Sequence, residues 1–178
     1  GRWFDCDKIR FRAGLPQKIG GWQRFSEDTT DGQIRFLFNF ISLTENNYLA
    51  IGSSQRFYIE EGGDFTNITP LRKTSSLGTN PITTGSAGSG EITVADTAHG
   101  AVLNDFVTLA GATTTDGVTA VQINTTHQIT EIVSDNAYKV ETAGSASSGS
   151  TAGGGGSVTA AYEINVGLDT AVQGTGFG

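Results

Sequence analysis

Apolar and polar residues alternate in short runs along the first part of the chain, and turn-forming residues separate the runs. In Lys8-Ile-Arg-Phe-Arg12 every second side chain is apolar, the period of a half-buried strand. Gly14-Leu-Pro16 interrupts the pattern, and Lys18-Ile-Gly-Gly-Trp-Gln-Arg-Phe25 resumes it. Asp31-Gly32, a hairpin-type turn, leads into Gln33-Ile-Arg-Phe-Leu-Phe-Asn-Phe-Ile41, which is apolar enough to predict burial on both faces for part of its length. Asn46-Asn47 introduces a strand over Tyr48-Leu-Ala-Ile-Gly-Ser53, and Gln55-Arg-Phe-Tyr-Ile-Glu60 predicts another that ends at the turn Gly62-Gly63-Asp64. Four or five antiparallel strands follow from this spacing, arranged as a sheet or propeller blade.

The texture changes over Lys73 to Gly90, where Thr, Ser, Gly, Asn and Ala dominate and predict a linker or long surface loop. Strands resume at Glu91-Ile-Thr-Val-Ala95, Phe106-Val-Thr-Leu109, Gln128-Ile-Thr-Glu-Ile-Val133 and Tyr138-Lys-Val-Glu-Thr142, with Asp116-Gly117 and Asp135-Asn136 as turns. Ala143 to Ser157 reads as a flexible hairpin loop, and Val158-Thr-Ala-Ala-Tyr-Glu-Ile-Asn-Val166 as a last strand. At most a short turn of helix is indicated, at Ala120-Val-Gln-Ile-Asn124. The fold class expected is all-β: a propeller-like antiparallel host segment over 1–75, a linker over 76–90, an inserted small β-barrel or sandwich over 91–166 and a return to the host over 167–178.

Composition strengthens that reading. The 178 residues hold 25 Gly with many Thr and Ser, a balance that favours turns and short strands over helices. No stretch approaches the roughly 18 consecutive apolar residues of a membrane span, so no membrane partner is expected. The chain has no Met and starts at Gly1, and it is expected to be part of something longer. Ten of its 11 basic residues lie before Ser75, against nine of its 18 acids; beyond that point Lys139 alone opposes nine acids. An acidic second half repels phosphate and allows at most passing contact with DNA.

No set of catalytic, cofactor or metal residues emerges. His99, in Thr97-Ala-His-Gly100, and His127, before a strand, have no Ser, Cys or carboxylate at a recognised spacing, and are read as polar turn or edge residues. Asp5-Cys6-Asp7 places two carboxylates on one strand face and the thiol on the other, which does not converge on a cation. Gly153 to Gly156 lacks the Lys-Ser/Thr of a phosphate loop. Asn67-Ile-Thr69 and Asn124-Thr-Thr126 match a glycosylation pattern with no sign of a secretory route. Trp3, Trp22, Phe25, Phe36, Phe38, Phe40, Phe57, Tyr58 and Phe65 are read as core, with sugar stacking as the sharper alternative. Arg10, Arg12, Arg35 and Arg56 are expected in cross-strand ion pairs rather than on a phosphate-binding face.

Three segments carry a resemblance: Asp7-Lys-Ile-Arg-Phe-Arg-Ala-Gly-Leu-Pro-Gln-Lys-Ile-Gly-Gly-Trp22, Asn47-Tyr-Leu-Ala-Ile-Gly-Ser-Ser-Gln-Arg-Phe-Tyr-Ile59 and Gly62-Gly-Asp-Phe-Thr-Asn-Ile-Thr-Pro-Leu-Arg72. They resemble the N-terminal region of tailed-phage virion proteins of the tail, nozzle or DNA-stabilisation type, and so does the closing Gly167-Leu-Asp169 segment. Separately, Ile92-Thr-Val94, Thr97-Ala-His-Gly100, Asp105-Phe-Val107 and Ser157-Val-Thr-Ala-Ala-Tyr162 resemble a small β domain similar to the FCCH insert of ubiquitin-activating enzymes. The resemblance implies a non-enzymatic virion protein of the phage tail, at its tube, nozzle or head-tail region. It implies a homo-oligomeric ring touching adaptor or fibre proteins, with the insert projecting outward. The rival expectation is a host-surface glycan or receptor-binding module that grips its ligand through Tyr138 or Tyr162.

Overall fold

The computed structural model describes residues 8–21, 24 and 26–164. Asp5-Cys6-Asp7, Trp3, Trp22, Phe25 and the segment from Gly167 lie outside the described residues. The regular structure of the described chain is almost entirely strand, as expected, in three antiparallel sheets.

Strands β1 (Ile9–Arg12) and β2 (Leu15–Lys18) form a hairpin around Ala13 and Gly14, both at positive φ, so Leu15 and Pro16 open a strand where a break was expected. Proline is tolerated there because a two-stranded ribbon leaves an outer side on which its missing N–H costs nothing. Next come β3 (Ile34–Ile41), β4 (Asn47–Ser53), β5 (Phe57–Glu61) and β6 (Asp64–Asn67), paired in sequence order as a four-stranded meander. The β5–β6 turn is Gly62-Gly63, with φ of 65° and 105°, values that glycine adopts without strain and that match the twist of a two-residue hairpin.

The second sheet departs from expectation at its start. Strand β7 (Leu71–Ser76) runs from the host segment into the stretch read as linker and β8 (Ile82–Thr84) lies within it, yet β7 pairs with the last strand and β8 lies beside the next one. Their Lys, Thr and Ser residues read as loop because little of either strand is apolar; partners distant in sequence decide their conformation. They are joined by β9 (Glu91–Ala95), β10 (Phe106–Ala110), the helical turn α1 (Ala120–Ile123), β11 (Thr126–Ser134), β12 (Ala137–Glu141), β13 (Ala152–Gly153) and β14 (Thr159–Glu163). The strand order is β13-β8-β9-β12-β11-β10-β14-β7, and its ends do not pair, so this is an open sheet and not a closed barrel. The nine-residue β11 carries two register shifts against β12; its first half pairs with β10 and its second with β12, which lets the sheet fold over itself.

One core fills that fold. Ile82, Ile92, Val94, Val107, Leu109, Ile129, Tyr138, Val140, Ala160 and Tyr162 are essentially inaccessible and form a single cluster. They occupy alternate positions of their strands, as the buried–exposed alternation of β9, β10, β12 and β14 records.

Candidate assembly surface

Large apolar residues of the first sheet behave differently. Along β3 the alternation puts Phe36, Phe38 and Phe40 on one face, their rings stacked in a ladder with centroids 6.3 Å apart and continued by Tyr48 of β4. Phe36 and Phe38 are 60% and 55% exposed, and Leu37 and Ile41 on the opposite face are 55% and 68% exposed. Burial on both faces was expected for this strand, and exposure on both is found. The sheet has only four strands, and β3 is at its edge among the described residues. Apolar patches of this kind mark surfaces that pack against something. Phe57, on the same face across Gly52 from Phe36, extends it.

One end of this sheet, where β5 begins and β6 finishes, is fastened to the second. Arg56, 9% exposed, sends Nε and Nη2 to the two carboxylate oxygens of Glu163 at 2.9 and 3.0 Å, and Nη1 to Asp31 at 2.6 Å. Its guanidinium also lies 3.8 Å from the ring centroid of Phe106. Asn67 donates to Glu163 at 3.1 Å, and the Tyr58 hydroxyl donates to Asp31 at 3.0 Å. Burial pulls the Arg56 guanidinium down, but Glu163 and Asp31 more than offset this and leave it raised. Arg56 and Glu163 are 107 positions apart, not the cross-strand neighbours expected. A β-bulge between Tyr162 and Glu163 makes the pair possible: strand parity would turn Glu163 away from the core side, and the register shift leaves both residues buried.

Neither histidine is a polar turn or edge residue. His99, 1% exposed, accepts from the Ala101 N–H at Nδ1 and donates from Nε2 to the Ser134 carbonyl at 2.9 Å. The buried His127 has both ring nitrogens on main-chain carbonyls, those of Glu141 and Ile123. Both rings fasten loops to strands. Asn67 and Asn124 are similarly committed, Asn124 making two 2.8 Å bonds to the main chain of Ala112.

The Gly/Ser tract before β14 is held and not loose. Asp116, at the Asp-Gly turn with φ of 46°, accepts from the Ser148 hydroxyl and N–H, the Gly149 N–H and the Thr84 hydroxyl. The Ser148 hydroxyl is the largest cause that brings the Asp116 carboxyl down to about 2; partial desolvation works against it, and the other donors reinforce it. Gly153 lies in β13, and the Gly155 N–H donates to Asn80 at 3.0 Å.

Tyr138 and Tyr162, the glycan grip of the rival receptor-binding expectation, are fully buried. The Tyr162 hydroxyl lies 2.6 Å from Asp96 Oδ2 and 3.2 Å from the Tyr138 oxygen. One phenolic proton serves one acceptor, so the chain runs from Tyr138 to Tyr162 to Asp96. Burial is the first cause that raises both phenols. Among the described residues no three His, Cys, Asp or Glu side chains are grouped to hold a metal ion, and no helix is long and apolar enough to cross a membrane.

No family model matches the chain. No curated protein matches it either. One similar solved structure is described as a phage phi92 endosialidase, at 14% identity and a TM-score of 0.41, with 85% of this chain and 22% of that chain covered. This chain thus spans about a fifth of that protein's length, and so distant a likeness carries no argument about activity.

Proposed function

We propose that this chain is a non-enzymatic virion structural protein of the phage tail, acting by assembly with copies of itself in a ring and with neighbouring adaptor or fibre proteins. The observation that carries the assembly reading is the β3–β6 sheet, which shows Phe36, Leu37, Phe38 and Ile41 to solvent, whereas the second sheet gathers most of its apolar strand residues into an internal cluster and exposes Leu71, Ile132 and Val133. A sequential four-stranded antiparallel meander is the unit from which propeller blades are made, and blades bury their faces only against like sheets. Placement in a phage tail rests on the resemblance carried by the segments from Asp7 to Arg72. The receptor-binding alternative loses its two named anchors, since Tyr138 and Tyr162 are interior.

Electron microscopy of tailed-phage particles that carry this chain, labelled with an antibody against it, tests the reading. Label gathered in a ring on the tail tube or nozzle is expected. Unlabelled particles, or label only at fibre tips, would overturn it.

A further inference from the structure

The β1–β2 ribbon carries a charge that nothing beside it balances. Lys8, Arg10, Arg12 and Lys18 fall in a stretch, Lys8 to Lys18, that contains no acid. Strand alternation puts Arg10 and Arg12 on one face of the ribbon, and the register sets Gln17 opposite Arg10 and Leu15 opposite Arg12. Neither guanidinium therefore has the cross-strand acid expected for it. Among the described residues these four bases are exposed and enter no ion pair, and the ribbon pairs with no third strand. Two strands alone are marginal in water, so such a ribbon gains from a surface to lie on.

A face of opposite charge lies on the second sheet. Of the acids beyond Ser75, Asp96, Asp105 and Glu163 are buried against Tyr162, Arg72 and Arg56, and Asp116 is held by Thr84, Ser148 and Gly149. Glu91, Glu131 and Glu141 instead share the outer face of β9, β12 and β11 with Lys139, the one base in that half of the sequence. Lys139 Nζ reaches Glu131 at 2.9 Å and Glu91 at 3.3 Å, which leaves Glu141 without a cation among the described residues. Glu141 stands directly across from Glu91 in the β12–β9 register, and like charges so placed repel. A cation brought from outside relieves that pair.

We infer that the β1–β2 ribbon of one copy lies on the β9–β12–β11 face of a second copy, with Arg10 and Arg12 against Glu141 and Glu131. The spacings agree, since residues two apart along a strand are separated by about 7 Å. Glu141 is diagonal to Glu131 across the β11–β12 register, a separation of about 7–8 Å. The contact joins two different patches, so it runs head to tail and closes a ring where the rotation allows. It rests on the assembly reading, names one of its contacts and adds to the apolar β3 surface. Duplex DNA would match the ribbon alone, whereas a second copy matches both charged faces.

The test is sedimentation velocity of the whole chain over a concentration series at low and at high salt. Wild-type association is expected to weaken as salt rises. Arg10→Glu with Arg12→Glu, and separately Glu131→Lys with Glu141→Lys, should each weaken it about tenfold or more, because the contact then sets like charges together. All four changes in one chain should restore it, and so should an equimolar mixture of the two variants; recovery of this kind is beyond a misfolded chain. Association of both variants equal to the wild type, or no recovery when the changes are combined, would sink the ribbon contact and leave the assembly reading standing. A wild type that stays monomeric throughout would overturn both. Ribbon amide shifts on adding duplex DNA, with self-association unchanged in the ribbon variant, would assign the ribbon to nucleic acid and contradict the contact.

Discussion

The two large sheets are made of similar strands, yet they treat apolar side chains in opposite ways. Eight of the ten phenylalanines lie at or before Phe65, and the second half is dominated by Ala, Thr, Ser and Gly. Nevertheless, the cluster of fifteen buried apolar residues lies wholly between Ile82 and Tyr162. In the first sheet only Ile51 and Tyr58 are buried among the apolar residues, and Tyr58 does so at the junction with the second sheet. Burial depends on having an opposing surface, and the second sheet supplies its own by folding over at β11. The first sheet is more hydrophobic and less buried, which is the condition of a surface whose counterpart is another molecule or another sheet.

The largest expected break in this contrast is at the junction. Arg56→Ala leaves Glu163 buried with Asn67 as its remaining partner, and it should cost about 3–5 kcal/mol in chemical denaturation. Arg56→Met combined with Glu163→Leu removes both charges and should recover most of that loss; failure to recover would mean that the pair does more than hold the sheets together. A core truncation comes next. Ile129→Ala should cost about 2–5 kcal/mol through lost burial and the cavity left behind, whereas Phe38→Ser should change monomer stability by no more than about 0.5 kcal/mol, read as denaturation midpoints.

A smaller and local effect separates the held Gly/Ser tract from a free loop. The Asp116 carboxyl titrates at about 2 in the fold and near ~3.9 when unperturbed. A depressed folded value means that its hold on Ser148 and Gly149 is complete above the unperturbed value and is lost as pH falls through the folded one. The amide resonances of Ser148 and Gly149 should therefore stay fixed from pH 7 to about 4 and move below it, with a midpoint at about 2. Movement centred near pH 4 would show that the carboxyl is not so held.

Much of the second sheet was legible because period-two alternation over Glu91–Ala95, Phe106–Ala110, Ala137–Glu141 and Thr159–Glu163 is what a one-sided strand needs. What escaped was whatever depended on distant partners. The polar strands Leu71–Ser76 and Ile82–Thr84 carry no such period, and only their neighbours β14 and β9 make them strands. The partnership of Glu163 with Arg56 left no mark in the sequence, because it depends on the register shift between Tyr162 and Glu163. His99 and His127 looked like turn residues because their acceptors are carbonyls, which leave no mark in a sequence. The exposure of β3 was the least legible feature: Gln33 to Ile41 has the composition of a buried strand and says nothing about which molecule covers it.

Sedimentation velocity across a concentration series tests the central claim most directly, with the wild-type chain compared with a Phe36→Ser, Phe38→Ser, Ile41→Ser variant. The wild type should gain mass with concentration, and the variant should stay monomeric with an unchanged denaturation midpoint. Equal masses at every concentration, or a variant destabilised as much as Ile129→Ala, would contradict the claim and return these side chains to an internal core.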